Sequence, residues 1–397
     1  MEEYIKARIA VVGVGIMGSQ HARDLGLHNI PNAQLAAVCD IDKSRADQAA
    51  AQYNVPAYYD YHDLLDKAEL DGVMIATPHY FHTTISIDAL KRGIHVLTEK
   101  PLAVHVKDGQ KMIAAYQQAR QQYPGLVFAI MFQNRTQGYW RKGKEMIDQG
   151  VLGRLVRATW IITDWFRSQT YYNNGGWRAT WKGEGGGVLL NQCPHNLDMY
   201  QWYFGVPKRV AGYASIGKYH KIEVEDEVTG YFEHENGMVG HFITTTAESP
   251  GSNRLEVVGE NGRLVFEDGR LAFAHNRSSM LEYIRTSPSA FEQMEYKMED
   301  IPFQPAASVG HAIVIEAFVN AILHDGPLIA RAEEGINSLA LGNAIMLSQF
   351  LGKPVDLPFD ADLYEAKLLE LIRDSQFRKE THEGQVDDFD KSFEPYH

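Results

Sequence analysis

The sequence is poor in cysteine, in basic charge and in long apolar runs, and each shortage excludes a class of protein. Its two cysteines, Cys39 and Cys193, form no CxxC or CxxxC pattern and are too few for a disulfide framework. Cys39 ends a strand-like run, so we interpret it as a buried structural thiol, and a reducing, cytoplasmic location fits. No apolar run reaches the length of a membrane-spanning helix, and the first residues lack the basic and apolar regions of a signal peptide.

The charge balance argues against nucleic acids and membranes as partners. The chain has 38 basic and 51 acidic residues, which give a formal net charge of -13. Such a surface repels phosphate backbones and anionic lipids. The composition is otherwise ordinary for a globular protein, with 45% hydrophobic and 22% charged residues. Because 397 residues exceed what one hydrophobic core usually serves, we expect two domains.

The first third of the chain has the alternation that is typical of a Rossmann domain. Short apolar runs predict strands, and helical patterns lie between them. The runs are 8–12, 34–39, 72–76, 95–97 and 126–131, and the helical patterns are 18–26, 44–53, 84–91 and 106–122. Strands separated by helices indicate βαβ units and a parallel sheet. We therefore predict an α/β fold with a doubly wound parallel sheet in residues 1–133.

From about residue 134 the pattern changes to that of an α+β domain. Alternating apolar segments flank three turn sequences, which predict hairpins of a large, open, mostly antiparallel sheet. The turns are Glu235-Asn236-Gly237, Asn261-Gly262 and Asp268-Gly269. Two amphipathic helices follow within 311–350, and we expect them to pack back on this domain. The second domain is predicted to span 134–376, and 377–397 is predicted to be a polar tail.

A glycine-rich motif follows the first predicted strand and opens the first predicted helix. It reads Gly13-Val14-Gly15-Ile16-Met17-Gly18 and matches G-x-G-x-x-G in the required context. Gly13 permits a tight turn, Gly15 lets a pyrophosphate approach the backbone, and Gly18 lets helix and strand pack closely. Asp40 ends the second strand, where a carboxylate accepts hydrogen bonds from ribose hydroxyls and repels a 2′-phosphate. The motif predicts an NAD site; a glycine turn without a nucleotide is the alternative.

Polar residues also follow two later strands, at the sheet edge where open α/β sheets bind their ligands. We predict that they contact the cofactor; they are Thr77, Pro78, His79, His82, Glu99 and Lys100. A lysine held near a positively charged nicotinamide has its ammonium form disfavoured, which lowers its pKa toward the range of a general base. From position alone, a solvated lysine in a turn is the alternative for Lys100.

The pair His79 and His82 also has the H-x-x-H spacing of a metal site. No further cysteine, histidine or acidic pair lies at a recognisable zinc spacing. Because both histidines follow a predicted cofactor-binding strand, contact with the nicotinamide or ribose is the better interpretation, and we expect no metal. No nucleophile motif such as G-x-S-x-G is present.

With the segment 183–205, these motifs resemble those of the glucose–fructose oxidoreductase / inositol dehydrogenase / MocA (Gfo/Idh/MocA) family. The resemblance runs from Ile9 to about Pro358, and the Glu-Lys-Pro triplet is specific when found with the triple glycine and the later His-x-x-Asp. It implies a Rossmann domain followed by an α/β domain with a large open sheet, which often forms dimer or tetramer contacts. It also implies oxidation or reduction of a secondary hydroxyl or carbonyl on a sugar or polyol.

The resemblance assigns roles to individual residues. Lys100 resembles the catalytic lysine, Glu99 the acid near the nicotinamide ribose, and His195 the histidine that aids proton transfer and substrate binding. The family block commonly has an aspartate where this chain has Asn191, and an asparagine cannot take a proton. We therefore expect proton transfer at Lys100 and His195, with Asn191 positioning the substrate. Asp198 is expected either to orient His195 or to be a solvated or capping acid of its helix.

Aromatic side chains and arginines are concentrated shortly before that block. The aromatics are Trp160, Trp165, Tyr171, Tyr172, Trp177 and Trp181. Aromatic faces can stack on a sugar ring while arginines bind its hydroxyls, and packing between domains is an equally open explanation. We select Trp165, Arg178 and Trp181 as substrate contacts. Asn134 and Arg135 follow the last strand of the first domain, and we assign Asn134 to the substrate and Arg135 to the cofactor.

Three functions are consistent with these residues. The first is an NAD-dependent dehydrogenase or reductase of a sugar, glycoside or inositol-like polyol, with Lys100 as general acid and base. The second is an enzyme that keeps NAD bound and uses transient oxidation to drive elimination or glycoside cleavage. The third is a non-catalytic dinucleotide-binding regulator, which would have no need for Lys100.

Overall fold

The first domain contains one parallel sheet with helices on both faces. The computed structural model describes residues 6–306 and 310–381. In chain order the elements are β1 (Ala7–Val12), α1 (Ile16–Gly26), β2 (Ala33–Cys39), α2 (Lys43–Tyr53), β3 (Ala57–Tyr58), α3 (Tyr61–Lys67), β4 (Gly72–Ile75), α4 (His79–Lys91), β5 (His95–Thr98), α5 (Val106–Gln122) and β6 (Phe128–Ile130). The strand order is β3-β2-β1-β4-β5-β6, and all pairs are parallel. The predicted doubly wound sheet is confirmed, and the strand order reverses between β1 and β4.

The predicted strands and helices of this domain are present with shifted ends. The helix α4 begins at His79, directly after Pro78, whereas the sequence pattern placed its start at residue 84. A proline before the first turn is compatible with a helix start, because its missing N–H is not needed there. The short strand β3 and the helix α3 were not predicted, since a two-residue strand has no readable alternation.

The second domain is built around a nine-stranded sheet. Its elements are α6 (Gly138–Asp148), β7 (Leu155–Ile162), α7 (Gln169–Asn173), α8 (Val188–Asn191), α9 (Pro194–Phe204), β8 (Arg209–Ile216), β9 (Glu225–Glu233), β10 (Val239–Thr245), β11 (Asn253–Gly259), β12 (Gly262–Glu267), β13 (Arg270–Asn276), α10 (Met280–Thr286), β14 (Tyr296–Asp300), α11 (Gly310–His324), α12 (Gly335–Leu351), β15 (Val355–Asp356) and α13 (Ala361–Asp374). The strand order is β14-β13-β12-β11-β7-β10-β9-β8-β15. The pair β7–β10 is parallel and the other pairs between these strands are antiparallel, as predicted.

Local turn chemistry positions the hairpins of this sheet. Asp268 and Gly269, which join β12 to β13, have φ angles of 51° and 69°. Two successive left-handed residues form the turn whose twist matches that of the flanking strands, and Asp-Gly is a favoured sequence for it. Gly237, between β9 and β10, has a φ of 83°. One face of the sheet carries the core of the domain, where Trp160, Phe232 and other aromatics are fully buried.

The two long helices near the end of the chain pack differently from the prediction. The apolar residues of α11, including Ile315 and Phe318, join the core cluster of the first domain together with Ile9 and Val11. The helix α12 contacts both the second domain, at β8 and α9, and the helix α5 of the first. The expectation that both helices pack on the second domain is therefore wrong for α11. An apolar stripe shows that a helix is packed, but it does not identify the sheet on which it packs.

The cysteines, the apolar helices and the start of the predicted tail can also be compared with the sequence predictions. Cys39 and Cys193 are buried free thiols, as the cysteine pattern indicated. None of the helices within the described residues is both long and apolar enough to cross a membrane. At the start of the predicted tail, Lys379 Nζ donates hydrogen bonds to the backbone carbonyls of Gly175 and Arg178. Residues 382–397 of that tail lie outside the described residues.

Candidate active site

The glycine loop between β1 and α1 has the geometry that a dinucleotide needs. Gly13 has a φ of 86°, and a Cβ at this position would lie 2.8 Å from the carbonyl oxygen of Ala76. A Cβ on Gly18 would overlap the carbonyl oxygen of Gly13, whereas a Cβ on Gly15 would meet nothing within 4 Å. The loop is thus tightly packed at its two ends and open at Gly15, next to Ile16 and the start of α1. Open space at a helix N-terminus fits a pyrophosphate.

Asp40 lies beside this loop at the end of β2. Its two carboxylate oxygens accept hydrogen bonds from the backbone N–H groups of Val14 and Asp42, both at 2.9 Å. The side chain is thereby held against the glycine loop, and 9% of the residue is exposed. A carboxylate has about four acceptor sites, so two contacts leave capacity for ribose hydroxyls.

Glu99 and Lys100 follow β5, and a histidine that the sequence analysis missed joins them. His21 Nε2, on α1, lies 2.8 Å from Glu99 Oε1. Burial raises the pKa of Glu99, but the hydrogen bond and charge of His21, with smaller contributions from His311 and Lys100, outweigh burial and bring it to about 2. Glu99 is therefore an anion at physiological pH. His21 had no sequence signal beyond its position one turn after the glycine motif.

The side chain of Lys100 connects the two domains. Its Nζ donates a hydrogen bond to the backbone carbonyl of Asn191 at 2.9 Å. Burial lowers the pKa of Lys100; the nearby anion Glu99 opposes this effect, and the cation Arg178 adds to it. The lowered pKa makes the neutral amine more accessible at Lys100 than at a solvated lysine.

His195 is buried on α9, and its partner was also missed by the sequence analysis. The amide Nε2 of Gln133 lies 3.2 Å from His195 Nε2. Among residues 6–306 and 310–381, no group bonds His195 Nδ1, although this atom is buried. Burial, reinforced by the positive charge of Lys100, holds the pKa of His195 well below its usual range. The ring is therefore neutral, with one buried nitrogen open to a ligand. Gln133 is the residue before Asn134, which the sequence analysis chose instead.

Asn191 is held by side chains from the preceding loop. Its Nδ2 donates a short hydrogen bond to Glu184 Oε1, and its Oδ1 accepts one from the hydroxyl of Tyr171 at 3.4 Å. Glu184 is 1% exposed. Burial raises the pKa of Glu184, while the hydrogen bonds from Asn191 and from the backbone of Ala179 oppose that effect. The sequence pattern of this segment indicated the glycines, Asn191, His195 and Asp198, but it did not indicate Glu184.

The two histidines of the H-x-x-H pair bond backbone carbonyls. His79 Nδ1 lies 3.0 Å from the carbonyl oxygen of Glu184, across the domain boundary. Both nitrogens of His82 lie 2.8 Å from carbonyl oxygens, those of Pro101 and Thr77. His82 therefore joins the segments after β4 and β5, and neither of the two ring nitrogens of His82 is left for a cofactor or a metal. We correct its predicted cofactor contact to this structural role.

Thr77 and Pro78 lie between β4 and α4, where the sequence analysis expected cofactor contacts. Thr77 Oγ1 is buried and has no hydrogen-bond partner within the described residues. Pro78 is the residue that precedes the first turn of α4. Thr77 lies beside the glycine loop, since a Cβ on Gly13 would come within 3.0 Å of Thr77 Cγ2, and its unpaired buried hydroxyl is available to a ligand.

Arg135 and Asp198 bond each other instead of the partners that the sequence suggested. The guanidinium of Arg135 forms two hydrogen bonds with Asp198, at 2.8 and 2.6 Å, and a third with Glu334 at 2.6 Å. Because two carboxylates take up this buried guanidinium, we correct its predicted cofactor contact to a role in packing. The expectation that Asp198 orients His195 is wrong, since Arg135 and Gln201 are its partners. Asn134 is half-buried, and its side chain contacts Gln137 at 3.5 Å.

The aromatic stretch divides into core and site residues. Trp160, Tyr172 and Trp181 are buried, and the Trp181 ring packs against Phe350. We therefore correct the predicted substrate contact of Trp181 to core packing. The guanidinium of Arg178 lies over the rings of Tyr171 and Trp177, at 4.9 and 4.6 Å.

Trp165, the remaining predicted substrate contact of this stretch, is not part of the fully buried core. It is half-buried, and the Arg167 guanidinium lies 5.4 Å from the centre of its ring. The structure therefore brings Lys100, His195 and Asn191 to one region between the domains, with Tyr171 and Arg178 near Asn191.

Both domains match models of known protein families. Residues 7–124 match an oxidoreductase family with an NAD-binding Rossmann fold (GFO_IDH_MocA), and residues 140–265 match the GFO/IDH/MocA C-terminal domain. The scyllo-inositol 2-dehydrogenase (NAD(+)) of Bacillus subtilis is 24% identical over 359 residues, which cover 89% of this chain and 96% of the relative. The levoglucosan dehydrogenase of Pseudarthrobacter phenanthrenivorans is 25% identical over 395 residues, covering 88% and 98%.

A solved structure adds a ligand-bound relative. The WlbA dehydrogenase from Bordetella pertussis, in complex with NADH and UDP-GlcNAcA, is 26% identical. The match has a TM-score of 0.74 and covers 89% of this chain and all of the other.

Proposed function

Since the chain belongs to the Gfo/Idh/MocA family of NAD-binding oxidoreductases, we propose that it transfers a hydride between NAD and a secondary hydroxyl or carbonyl of a sugar, glycoside or polyol. The single observation that supports this most strongly is the position of Lys100. It follows β5 at the cofactor edge of the first domain and bonds Asn191 of the second domain.

Lys100 acts as the general base in the direction of oxidation. As a neutral amine it keeps an N–H for the Asn191 carbonyl and has a lone pair for the proton of a substrate hydroxyl. Burial favours this neutral form by lowering the pKa of Lys100. In the reverse direction the ammonium form donates the proton. Bound NAD would supply the hydride acceptor, and the glycine loop, Asp40 and the residues after β4 would hold it.

The residues around Lys100 orient the substrate. His195 is neutral and its Nδ1 lacks a partner within the described residues, so it offers a hydrogen bond to a second substrate oxygen. Arg178 and Trp165 present a cation and an aromatic face, which suit the hydroxyls and C–H faces of a sugar ring. Relatives named for an inositol and an anhydrosugar make this substrate class the natural first choice.

A substrate screen combined with a lysine variant tests the proposal. Free sugars, inositols and glycosides are incubated with NAD, and NADH is followed by its absorbance. We expect Lys100→Ala to lower kcat by about 10²- to 10⁴-fold, the usual contribution of a general base, with an unchanged calorimetric Kd for NAD. Lys182→Ala, which removes an exposed lysine of the loop before the triple glycine, is the matched control and should retain full turnover.

The outcomes separate the three functions. Full turnover in Lys100→Ala would eliminate the proposed base. Release of an aglycone without net NADH would favour cleavage through transient oxidation with retained NAD. NAD binding without turnover of any compound would favour a regulator.

We also propose that two or four copies associate through the open face of the nine-stranded sheet. The outward residues of its neighbouring strands include Tyr213 on β8, Tyr231 on β9 and Ile243 on β10. Tyr213 is 72% exposed in the single chain. Contiguous partly exposed apolar side chains of this kind favour association.

A further inference from the structure

We propose that Glu184 is a positioning residue for Lys100: it supplies the carboxylate of the substrate side of the site and acts through Asn191. The inference rests on the proposed function, in which Lys100 is the base. The side chains of positions 184 and 191 form a bonded carboxylate–amide pair, and the backbone carbonyl of Asn191 receives Lys100 Nζ.

The local backbone is built to bring this carboxylate inward. Both oxygens of Glu184 accept N–H groups, Oε1 from Asn191 Nδ2 and Oε2 from the backbone of Ala179 at 2.6 Å. Ala179 has a φ of 64°, a left-handed conformation that a non-glycine residue rarely adopts. The surroundings hold this strained residue in place, and strain retained near a cleft is typical of functional sites. The two N–H donors favour the carboxylate form and oppose burial, which is the larger effect and raises the pKa of Glu184.

Three contacts transmit the position of Glu184 to Lys100. The Asn191 amide is bonded by Glu184 at its nitrogen and by Tyr171 at its oxygen, so its plane cannot rotate freely. Its backbone carbonyl then points at Lys100 Nζ at 2.9 Å. The backbone carbonyl of Glu184 also bonds His79, which ties the same loop to the first domain.

The charges around Lys100 give Glu184 an electrostatic effect as well. The anions that favour the ammonium form are Glu99 and Glu184, and the cations that oppose it are Arg178 and Arg167. Glu99 is already bonded to His21. The other titratable neighbours are His79, His82, His195, His311 and Cys193, whose pKa values the charge of Lys100 lowers, and Lys379, which interacts with Glu184. Removing the negative charge of Glu184 should therefore favour the neutral form of Lys100.

An isosteric exchange across the pair tests the proposal. Glu184→Gln removes the charge, Asn191→Asp adds a second one, and the double variant moves the carboxylate from position 184 to position 191 with the number of heavy atoms unchanged. In the double variant the amide at 184 can donate to the carboxylate at 191 and still accept the Ala179 N–H. The matched control is Glu223→Gln. It removes a half-buried carboxylate of the neighbouring turn, which accepts a hydrogen bond from the backbone N–H of Trp181.

The first measurement needs no substrate. The pKa of Lys100 is obtained from the pH dependence of its acylation, followed by mass spectrometry of the Lys100 peptide. We expect Glu184→Gln to raise the ratio of neutral to ammonium Lys100 about tenfold at a given pH, the double variant to return it toward the native value, and Glu223→Gln to leave it unchanged. The proposal would be overturned if the ratio of neutral to ammonium Lys100 in the single variant Glu184→Gln were the same as in the native protein and in the double variant. If Glu184→Gln does not fold, the double variant tests the proposal by itself, because it retains the hydrogen bond and the charge. A pKa of Lys100 in the double variant that differs from the native value would then overturn the proposal.

The second measurement uses a substrate found by the screen. Glu184→Gln should lower kcat about tenfold with the Kd of NAD unchanged, and it should move the acidic limb of the kcat profile to lower pH. The double variant should restore both. A fall in kcat without a movement of the acidic limb would indicate a merely structural role and contradict the proposal. A shift of the Lys100 pKa in a protein whose Lys100→Ala variant turns over normally would refute the proposed function alone.

Discussion

At the scale of single residues, Asp40 shows how one carboxylate can serve the backbone and a ligand together. It accepts the N–H groups of Val14 and Asp42, which hold the glycine loop against the end of β2. The same charge lies where the adenosine ribose of a dinucleotide is bound in this fold. We therefore predict that a preference for NAD depends on a carboxylate that also maintains the loop.

Asp40→Ser should weaken NAD binding and relax the discrimination against NADP. We expect the ratio of the two Kd values to fall about tenfold or more, because the charge that repels a 2′-phosphate is removed. Calorimetric titration with both cofactors measures this ratio. Asp42→Ser is the control, since Asp42 caps α2 by accepting the Ser44 N–H and a serine can replace it as a cap. An unchanged ratio in Asp40→Ser would remove the role given to this carboxylate.

Residues with a fixed place in a motif could be predicted, and residues that meet them from elsewhere could not. Glu99 and Lys100 follow a strand of a parallel sheet, so their position at the ligand edge follows from the strand pattern alone. His21 and Gln133 reach Glu99 and His195 from 78 and 62 residues away in sequence. Nothing in the local pattern of either residue indicates that contact.

At the scale of elements, the turn from β1 to α1 separates two kinds of glycine. Gly18 is needed by the fold, because its Cβ would overlap the Gly13 carbonyl oxygen. A Cβ on Gly15 would meet no atom within 4 Å, and the φ angle of Gly15 is negative, at -69°. The protein chain itself therefore does not require glycine at position 15, and a ligand is the physical reason that remains.

Gly18→Ala and Gly15→Ala should differ in what they damage. We expect Gly18→Ala to lower the Tm by several degrees, since overpacking costs about 1 to 3 kcal/mol. Gly15→Ala should keep the Tm of the cofactor-free protein and raise the Kd for NAD at least tenfold. Differential scanning calorimetry and titration measure the two effects. Equal NAD affinity in the native protein and in Gly15→Ala would show that the open space is not the pyrophosphate site.

At the scale of the whole molecule, the site is formed only where the two domains meet. Lys100 and His79 from the first domain bond Asn191 and Glu184 from the second. Near the same boundary, Arg135 forms a buried ion pair with Asp198 and a second ion pair with the partly exposed Glu334. The helix α11 adds a further connection, because it follows the second sheet in sequence and packs on the first domain.

Association through the open sheet face is the prediction at this scale. Light scattering should give a mass of about two or four times 44.8 kDa. Tyr213→Glu should shift the protein toward the monomer, since a charge in an apolar interface is costly to desolvate. Leu27→Glu, which changes a 55% exposed residue of the first domain, should leave the mass unchanged. A native mass of one chain at micromolar concentration would contradict the association.

The sequence alone determined the cofactor domain, the glycine loop and the antiparallel character of the second sheet. It also determined that Glu99 and Lys100 lie at the edge of the first sheet where ligands bind. These follow from local periodicity and from residues with special backbone freedom, which are physical properties of neighbours along the chain. Only the tertiary structure decided that Glu184 holds Asn191, that Arg135 pairs with Asp198 and that α11 packs on the first sheet. Such contacts depend on which surfaces bury one another and on one left-handed residue, Ala179, and neither is encoded in a local pattern.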